Sequence, residues 1–523
     1  MRPILCLLAL AGCKGFGNLP SQGNEYLGEA LWDPSHAWPV IDGLYVDLPY
    51  AGSVALLPNG AGEAAFVSLE SGTVTSVHAS PDAETLALLV ADRICVDEGA
   101  EKGSCEEYDD LQRLDIVRGA KVAMSVDVGP GWNSVHFTAD GSRAVLRIDQ
   151  NELGEINAVL DLTSVLVVDL ETGEGQPVPV GFAPENLLFT TLPDGSADRA
   201  VVLSENEVAV VDLLASPPTT VVTFPLVIDP DDTVVPLDVA LTPNGEHAIL
   251  SVQGLSDLYV LDLEAHSTNL VELSAVPTSF QIFQTLDLEE ADYVVVVSRQ
   301  EAFVDLIDDV LFDTRSVALD EPMGKVWAGS TFALLWESQT GRDVVRIDPV
   351  TGDTVEYRLQ NPANRLFVAP GEEYAIALTT PGYDGGLFGS NPGLEVLDLR
   401  SDGVQPYLLE GAGLGVSWAV GDNTLHALVL QDGVDYVYQL DLYSGSSEEL
   451  NVSEGPRMIG SMNDGRFFVT HSAPLGLVSL IDPASGDVTE LSGFAALNLL
   501  DPSVLGGGDT GSTDDEYSTD YTY

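Results

Sequence analysis

The sequence predicts an all-β protein, a β-propeller whose blades are four-stranded antiparallel sheets. Two observations predict this fold: a two-hairpin unit recurs along most of the chain, and short apolar runs alternate with tight turns. Four short strands in each period of about 40 residues are typical of propeller blades. We therefore expect a single large ring of about eight blades, within a range of about seven to ten. Two separate rings are the alternative.

The first mark of the repeat is an aspartate that follows two apolar residues and precedes a turn. Val167–Gly173 and Gln439–Gly445 are two clear copies. The aspartates of the series are Asp115, Asp169, Asp212, Asp262, Asp305, Asp348, Asp398, Asp441 and Asp482. An aspartate before a hairpin turn can accept hydrogen bonds from backbone amides, so we interpret these residues as structural. A metal-binding role is the alternative.

The second mark is a tight turn between two apolar runs, as in Ala139-Asp140-Gly141 and Pro243-Asn244-Gly245. Asp-Gly and Asn-Gly supply the positive φ angles that two-residue hairpins need, so each period holds two hairpins. A partial unit lies at Val54–Val77. It either supplies strands that complete the last blade or adds to an unusually large ring.

Together the Ser80-Pro81-Asp82 turn and hairpins such as Val396-Leu397-Asp398-Leu399 resemble the YVTN, TolB and WD40-like propeller repeats of exported bacterial proteins. The resemblance covers about Val46–Ala495, but the Gly-His and Trp-Asp signatures of true WD40 blades are missing. It implies the propeller fold. The TolB likeness also implies a role in assembling an envelope complex.

The chain is strongly acidic, with 82 Asp and Glu residues against 20 Lys and Arg in 523 residues. Nucleic acid is excluded as a partner, because phosphate binding needs clustered basic residues. We interpret the dispersed charge as a solvated surface that keeps the protein soluble. Affinity for divalent cations or basic partners, or adaptation to a saline habitat, is the alternative.

The N-terminus predicts export. Arg2 precedes a short apolar run, Ile4–Ala11, which is too short to span a bilayer. Leu10–Cys13 resembles the bacterial lipobox, which implies cleavage of residues 1–12, lipidation of Cys13 and attachment to the cell envelope. Lys14 after the cysteine implies the outer membrane. A coincidental cysteine after an ordinary signal peptide is the alternative.

The remaining chain divides into an N-terminal tether at 13–45, the propeller at 46–500 and a disordered acidic tail at 501–523, which is rich in Gly, Ser, Thr, Asp and Tyr. Cys95 and Cys105 lie in one predicted loop, and an oxidising compartment favours a disulfide between them. A metal pair is the rival interpretation, but no further Cys or His lies nearby.

Three units contain long insertions, Arg93–Asp110, Gln150–Thr163 and Thr380–Gly393, each between the second and third strands. In a propeller this connection always emerges on the same face, so we expect a binding face there. The first and third loops carry the candidate binding residues Asp97, Glu98, Glu106, Glu107, Tyr108, Asp109, Asp110, Tyr383, Asp384 and Phe388. The acidic residues of the first loop predict a Ca²⁺ site, with a solvated loop as the alternative.

The sequence predicts no catalytic residues and no cofactor other than Ca²⁺. His78 and His136 occupy corresponding positions of two units, where they either share a metal in the central channel or act as ordinary strand residues. We expect a lipid-anchored, non-enzymatic module that binds a protein, peptide or glycan. The alternatives are a propeller lactonase, lyase or hydrolase with a channel metal, and a TolB-like assembly factor.

Overall fold

The structure, a computed structural model, describes residues 37–48, 53–59, 64–69, 72–95, 108–150, 160–192, 195–227, 234, 236–285, 292–337, 341–379, 392–421, 424–472 and 476–492. For residues 47, 53, 92–95 and 108–110 only the backbone is described. The described residues include no helix long and apolar enough to cross a bilayer.

The strands of this part of the chain form ten four-stranded antiparallel sheets, each made from four consecutive strands. Blade 1 consists of β1 Ala37–Val40, β2 Gly43–Leu48, β3 Ser53–Pro58 and β4 Ala65–Phe66, and blade 2 consists of β5 Thr73–Ala79, β6 Leu86–Cys95, β7 Tyr108–Arg118 and β8 Lys121–Asp127. Blade 3 consists of β9 Ser134–Phe137, β10 Arg143–Arg147, β11 Ser164–Asp169 and β12 Gly175–Pro179, and blade 4 consists of β13 Asn186–Thr191, β14 Ala197–Ser204, β15 Glu207–Asp212 and β16 Thr219–Pro225. Blade 5 consists of β17 Pro236–Leu241, β18 His247–Val252, β19 Asp257–Asp262 and β20 Ser267–Glu272.

The second half of the ring repeats the same arrangement. Blade 6 consists of β21 Ser279–Phe283, β22 Tyr293–Val297, β23 Phe303–Asp308 and β24 Thr314–Ala318, and blade 7 consists of β25 Lys325–Ala328, β26 Ala333–Trp336, β27 Asp343–Ile347 and β28 Thr354–Arg358. Blade 8 consists of β29 Ala363–Val368, β30 Tyr374–Thr379, β31 Gly393–Asp398 and β32 Gly403–Leu408, and blade 9 consists of β33 Gly413–Gly421, β34 Thr424–Gln431, β35 Tyr436–Asp441 and β36 Ser446–Asn451. Blade 10 consists of β37 Pro456–Ser461, β38 Phe467–His471, β39 Leu477–Ile481 and β40 Val488–Ser492.

The propeller fold with four-stranded antiparallel blades is confirmed, but the ring has ten blades and not about eight. The difference arises at the N-terminus. The partial unit at Val54–Val77 does not complete the last blade, because β1 to β4 form a sheet of their own and β37 to β40 form another. β1 and the start of β2 lie within residues 13–45, so the first blade begins inside the predicted tether.

Apolar packing between neighbouring sheets closes the ring. The described residues form ten hydrophobic clusters, and each cluster joins one blade to the next. In the closing cluster, Leu44 and Val46 of blade 1 pack with Phe468 and Val478 of blade 10. The middle strands are apolar on both sides because both faces of each sheet are covered by a neighbour. Among the described strands, none is exchanged between the first and last blades.

The strand order defines two faces of the disc. The turn face carries the hairpin turns between first and second and between third and fourth strands, such as 138–142 and 170–174 in blade 3. The connection face carries the links between second and third strands and between successive blades, such as 148–163 and 180–185. Antiparallel order places every such link of one kind on the same face.

The first strand of each blade lies innermost and the fourth lies at the rim. First strands of successive blades approach each other, as β33 and β37 do, and their residues are mostly half-buried. Fourth strands such as β20 and β36 are largely exposed. The first strands therefore form the wall of a central channel, which we call the channel wall.

Candidate binding site: the connection face and the channel wall

The repeated aspartates organise turns. Seven of them accept hydrogen bonds from the amides two and three residues later, namely Asp169, Asp212, Asp262, Asp348, Asp398, Asp441 and Asp482, and in blade 6 Asp308 does the same. In Asp262 the amide of Ala265 lowers the carboxyl pKa, as expected when donors stabilise the charged form. These hydrogen bonds agree with the structural interpretation.

Two members of the predicted series do not belong to it. Asp305 and Asp115 lie inside third strands, and Asp308 is the turn residue of its blade. Asp305 accepts hydrogen bonds from Ser274 and Ser316. Asp115 accepts one from Ser125 and pairs with Arg113. The same sequence pattern therefore also occurs where a buried, hydrogen-bonded aspartate lies within a strand.

The three long insertions join second to third strands in blades 2, 3 and 8, as predicted, and so all emerge on the connection face. Most of their candidate residues lie outside the described residues: Asp97, Glu98, Glu106, Glu107, Tyr383, Asp384 and Phe388. Cys13 and Cys105 also lie outside them. Lipidation, the disulfide from Cys95 and the Ca²⁺ site stay predictions.

The insertion of blade 2 begins later and ends earlier than predicted. Arg93 pairs with Asp110, Ile94 with Asp109 and Cys95 with Tyr108, so these residues continue β6 and β7 and are not loop. The two strands share ten pairs, whereas no other second and third strands in the described part of the chain share more than six. The four extra pairs form an arm that extends the hairpin by about 13 Å at roughly 3.3 Å per residue.

The two corresponding histidines lie in successive blade junctions. His78 pairs with Ala87, which packs between blades 2 and 3. His136 pairs with Val145, which packs between blades 3 and 4. Directly paired residues share a face of the sheet, so the two imidazoles lie on opposite sides of β9. This placement does not favour a shared metal.

The chemistry around these histidines is that of neutral strand residues. His78 and His136 accept or donate hydrogen bonds with Ser76 and Ser134 at 3.0 Å. The Arg147 Nε group donates to His136 Nε2 at 3.3 Å, so that nitrogen carries no proton. Burial and then the Arg147 charge lower the pKa of His78 to about 4, and burial, the Arg147 charge and the His78 charge lower the pKa of His136 to about 3. Both rings are therefore neutral at pH 7.

No group of three or more His, Cys, Asp or Glu side chains suited to a metal occurs among the described residues. His426 and His471 are buried in second strands of different blades. The convergence of His and carboxylates that a channel metal would need is not present in this part of the chain. The enzymatic alternative therefore gains no support from these side chains.

The channel wall differs in charge from the rest of the chain. Its ten strands are all among the described residues, and they contain a single acidic residue, Asp238. They contain three basic residues, Lys325, Arg365 and Arg457. The ten outermost strands, by contrast, carry six acidic residues: Asp127, Glu272, Glu356, Glu448, Glu449 and Glu490. The interior of the ring is thus depleted of negative charge.

The three basic residues mark one end of the channel. Each lies within the first three positions of its strand, and first strands begin at the connection face. Arg365 donates a hydrogen bond to the Leu414 carbonyl at 2.7 Å, whereas Arg457 is exposed. Burial lowers the pKa of Lys325, and the nearby Arg299 charge lowers it further. We call this end of blades 7 to 10 the channel mouth.

Apolar side chains accompany these charges. Trp327, Phe367, Trp418 and Met458 lie half-buried on the channel wall of blades 7 to 10. Leu414, at the channel mouth, is 38% exposed. Aromatic and arginine side chains in a concave surface are typical of sites that bind peptides and small molecules. The channel wall of blades 7 to 10 therefore combines apolar side chains with three basic residues, while the inter-blade links at the channel mouth carry the exposed acidic residues Asp320, Glu321, Glu410 and Glu454.

Sequence reasoning missed the channel wall, although a signal was present. The first apolar run of each repeat is nearly free of Asp and Glu, in a chain where acidic residues outnumber basic ones about fourfold. Only the ring brings these runs together, because they are separated by roughly 40 to 50 residues in the sequence.

Comparisons with known proteins found similar solved structures at low sequence identity. No protein-family model and no curated protein sequence matches the chain. The chain is similar to the crystal structure of a eukaryotic initiation factor, at 14% identity and a TM-score of 0.49, over 80% of this chain and 97% of that chain. It is similar to the Dos1 propeller, at 12% identity and a TM-score of 0.39, over 68% and 90% of the two chains. It is also similar to apo AztD from Citrobacter koseri, at 15% identity and a TM-score of 0.35, over 64% and 92%.

Proposed function

We propose that the protein is a lipid-anchored binding module of the bacterial cell envelope, without catalytic activity, and that its ligand binds at the connection face. The observation that supports the proposal most directly is that several features lie on the same face of the ring. The three long connections and the basic, apolar channel mouth all lie on one face of a rigid ring. A rigid scaffold that presents loops on one face is the usual design of repeat proteins that bind partners.

The charge pattern narrows the ligand class. A net charge of -62 repels anions at long range, but salt at physiological strength screens this repulsion beyond about 8 Å. On the channel wall of blades 8 to 10 a ligand meets Arg365, Arg457 and apolar side chains, and Glu410 and Glu454 lie in the adjoining links. We therefore favour a peptide or protein segment with carboxylates and large apolar side chains over a neutral glycan.

A charge reversal at the channel mouth tests this assignment. The soluble protein is screened against arrays of acidic peptides that carry apolar residues and against glycan arrays, and the best binder is measured by fluorescence anisotropy. Arg457→Glu should weaken peptide binding at least about tenfold, because it replaces an attraction by a repulsion. Lys121→Glu makes the same charge change at the rim and should leave binding unchanged.

Three results would contradict the proposal: no peptide binding, equal losses in both variants, or binding only to glycans. Stable binding of one envelope protein complex that depends on the same arginine would refine the proposal toward an assembly factor.

The anchor has its own test. Cells that express the protein are fed an alkyne fatty acid, and the protein is examined for incorporated probe. We expect labelling of the wild type and its loss in Cys13→Ala, because lipidation needs the thiol. Cys105→Ala is the matched control and should label normally. Label that persists in Cys13→Ala would exclude the anchor while leaving the binding proposal open.

A further inference from the structure

Five of the chain's 16 tyrosines lie at the junction of blades 8 and 9. Tyr407 of β32 pairs with Leu394, and Tyr438 of β35 pairs with Val429. Both partners pack in the cluster between these two blades, and directly paired residues share a face of the sheet. Tyr407 and Tyr438 therefore face each other across the junction. Tyr436 lies two residues before Tyr438 in the same strand and so points to the same side.

The tyrosine rings form two contacting pairs. Tyr407 and Tyr438 stand edge to face, with ring centroids 6.3 Å apart. Tyr374 and Tyr443 lie at the turn face with centroids 6.0 Å apart, and Tyr443 is 49% exposed. Gly445, in the same turn as Tyr443, accepts a hydrogen bond from the Tyr407 hydroxyl at 3.2 Å, which joins the two pairs. We call the side chains of Tyr407, Tyr436, Tyr438 and Tyr443 the tyrosine surface.

The tyrosine surface is rigid. The Tyr436 hydroxyl donates to Glu410 Oε2 at 3.0 Å, and the Tyr438 hydroxyl donates to Ser447 Oγ at 2.8 Å. Burial, and next the hydrogen bond to Glu410, raise the pKa of Tyr436 to about 12, so this hydroxyl stays protonated at neutral pH. Tyr407, Tyr436 and Tyr438 are half-buried. Aromatic rings that are fixed before a ligand arrives lose little conformational entropy on binding.

The charge around the tyrosine surface is negative. The third and fourth strands of blades 8 and 9 contain no Lys or Arg, and they contain five acidic residues: Glu395, Asp398, Asp441, Glu448 and Glu449. Arg400, in the turn of blade 8, pairs with Asp398 at 3.4 Å and with Glu373 at 3.3 Å. Glu410 and Glu449 are exposed, and neither forms an ion pair with a described residue. The surface therefore favours a ligand with positive charge.

We propose that the tyrosine surface binds a proline-rich segment of another protein, and that a Lys or Arg of this segment pairs with Glu410 or Glu449. Proline-rich segments adopt the polyproline II helix before they bind, so they dock on aromatic side chains at a small entropic cost. A neutral glycan would also stack on the rings, but it would leave both carboxylates without a counter-charge. The site lies outside the channel wall, and the proposal does not depend on a ligand at the channel mouth.

Peptide binding to the full-length protein tests the site. The probe is an array of short peptides with Pro-x-x-Pro cores and Arg or Lys at one end, and the best binder is measured by fluorescence anisotropy. Tyr438→Ala should weaken binding at least about tenfold, because it removes a central aromatic contact. Tyr259→Ala is the matched control. Tyr259 is also half-buried and also lies three residues before the turn aspartate of its blade, so its loss should leave binding unchanged.

Charge variants separate binding from folding, because they change exposed residues. Glu449→Lys should weaken binding at least about fivefold, and peptides with norleucine in place of Arg or Lys should not show this difference. Glu272→Lys makes the same change at the rim of blade 5 and should leave binding unchanged.

Four results would overturn the proposal: no proline-rich peptide binds, replacing the prolines by alanine leaves binding intact, Tyr438→Ala and Tyr259→Ala weaken binding equally, or only glycans bind. None of them affects the binding site proposed at the channel mouth, which Arg457→Glu tests separately.

Discussion

At the scale of the residue, blade 6 differs from the other blades at one position of the repeat, where it has an acidic residue in place of an apolar one. The residue after the turn aspartate is buried and apolar in six other blades, as Leu170, Leu213, Leu263, Pro349, Leu399 and Leu442, and is the half-buried Pro483 in blade 10. Blade 6 has Asp309 there, and its side chain is only 6% exposed. Asp309 Oδ1 accepts a hydrogen bond from the Asp292 amide at 3.1 Å. Burial raises the pKa of Asp309, and the Asp292 charge raises it further.

Removing this buried charge should stabilise the protein. Asp309→Asn keeps an oxygen that accepts the Asp292 amide, so we expect a gain of about 0.5–2 kcal/mol at pH 7. A raised folded-state pKa means that ionised Asp309 destabilises the fold above that pKa. The gain should therefore shrink as the pH falls through the pKa of folded Asp309 and the wild-type carboxyl takes up a proton.

Urea unfolding between pH 7 and pH 4 measures this effect. Asp313→Asn removes one charge from the same turn at an exposed position and should change stability by less than about 0.5 kcal/mol. A gain that is independent of pH, or equal in both variants, would argue against a buried-charge penalty at Asp309.

At the scale of the element, polar side chains fasten each blade to the next one. Arg199 donates to the Leu263 carbonyl at 3.4 Å, and Arg346 donates to the Leu399 carbonyl. Both acceptors directly follow a turn aspartate of the next blade. The carboxylate of Glu372 in blade 8 accepts four hydrogen bonds, from the amides and hydroxyls of Ser330 and Thr331 in blade 7. Turns on the turn face thus supply directional contacts where the apolar clusters supply only packing.

The Glu372 contact should be sensitive to an isosteric change. Glu372→Gln replaces one acceptor oxygen by an amide group that meets the N–H and O–H donors of the facing turn. We expect a loss of about 1–3 kcal/mol, the usual cost of leaving donors without a partner. Chemical denaturation measures it, with Glu356→Gln on an exposed outer strand as the matched control. Equal stability of the two variants would show that the Glu372 contact contributes nothing.

At the scale of the whole molecule, the ring separates its charges. Ten blades surround a channel wall with one acidic and three basic residues, while the chain as a whole has a net charge of -62. The sheets pack about 10 Å apart, so ten of them need a ring roughly 30 Å across at the packing radius. Acidic residues placed on both faces and the rim repel one another across this distance, and solvent and salt reduce the repulsion.

Salt should therefore stabilise the ring. Raising NaCl from 0.05 to 0.5 M should increase the free energy of unfolding in urea by screening the net charge. Urea is the suitable denaturant because it adds no ions. A parallel series with equimolar sucrose in place of NaCl, at low ionic strength, distinguishes the screening of charges from the exclusion of a solute from the protein surface. A free energy of unfolding that falls or stays constant as NaCl is raised would show that charge repulsion does not limit the stability of the ring.

The sequence by itself determined the local structure of the repeat. Asp-Gly and Asn-Gly turns, aspartates before hairpins and runs of Val, Leu and Ile act within a few residues of one another. The strands, the turn contacts of residues such as Asp262, and the location of the three long connections could therefore be predicted. Asp305 shows the limit of that reasoning, because the same four-residue pattern occurs in a strand interior when neighbouring serines supply donors.

Only the tertiary structure decided the number of blades, the closure of the ring and the composition of the channel wall. Blade 1 forms because Leu44 and Val46 pack on residues more than 400 positions later, a contact that no local pattern specifies. The channel mouth likewise combines Arg365, Leu414 and Arg457 from three blades. The physical reason is the same in each case: hairpins form from short-range backbone and turn preferences, whereas a site between blades depends on which apolar surfaces cover each other.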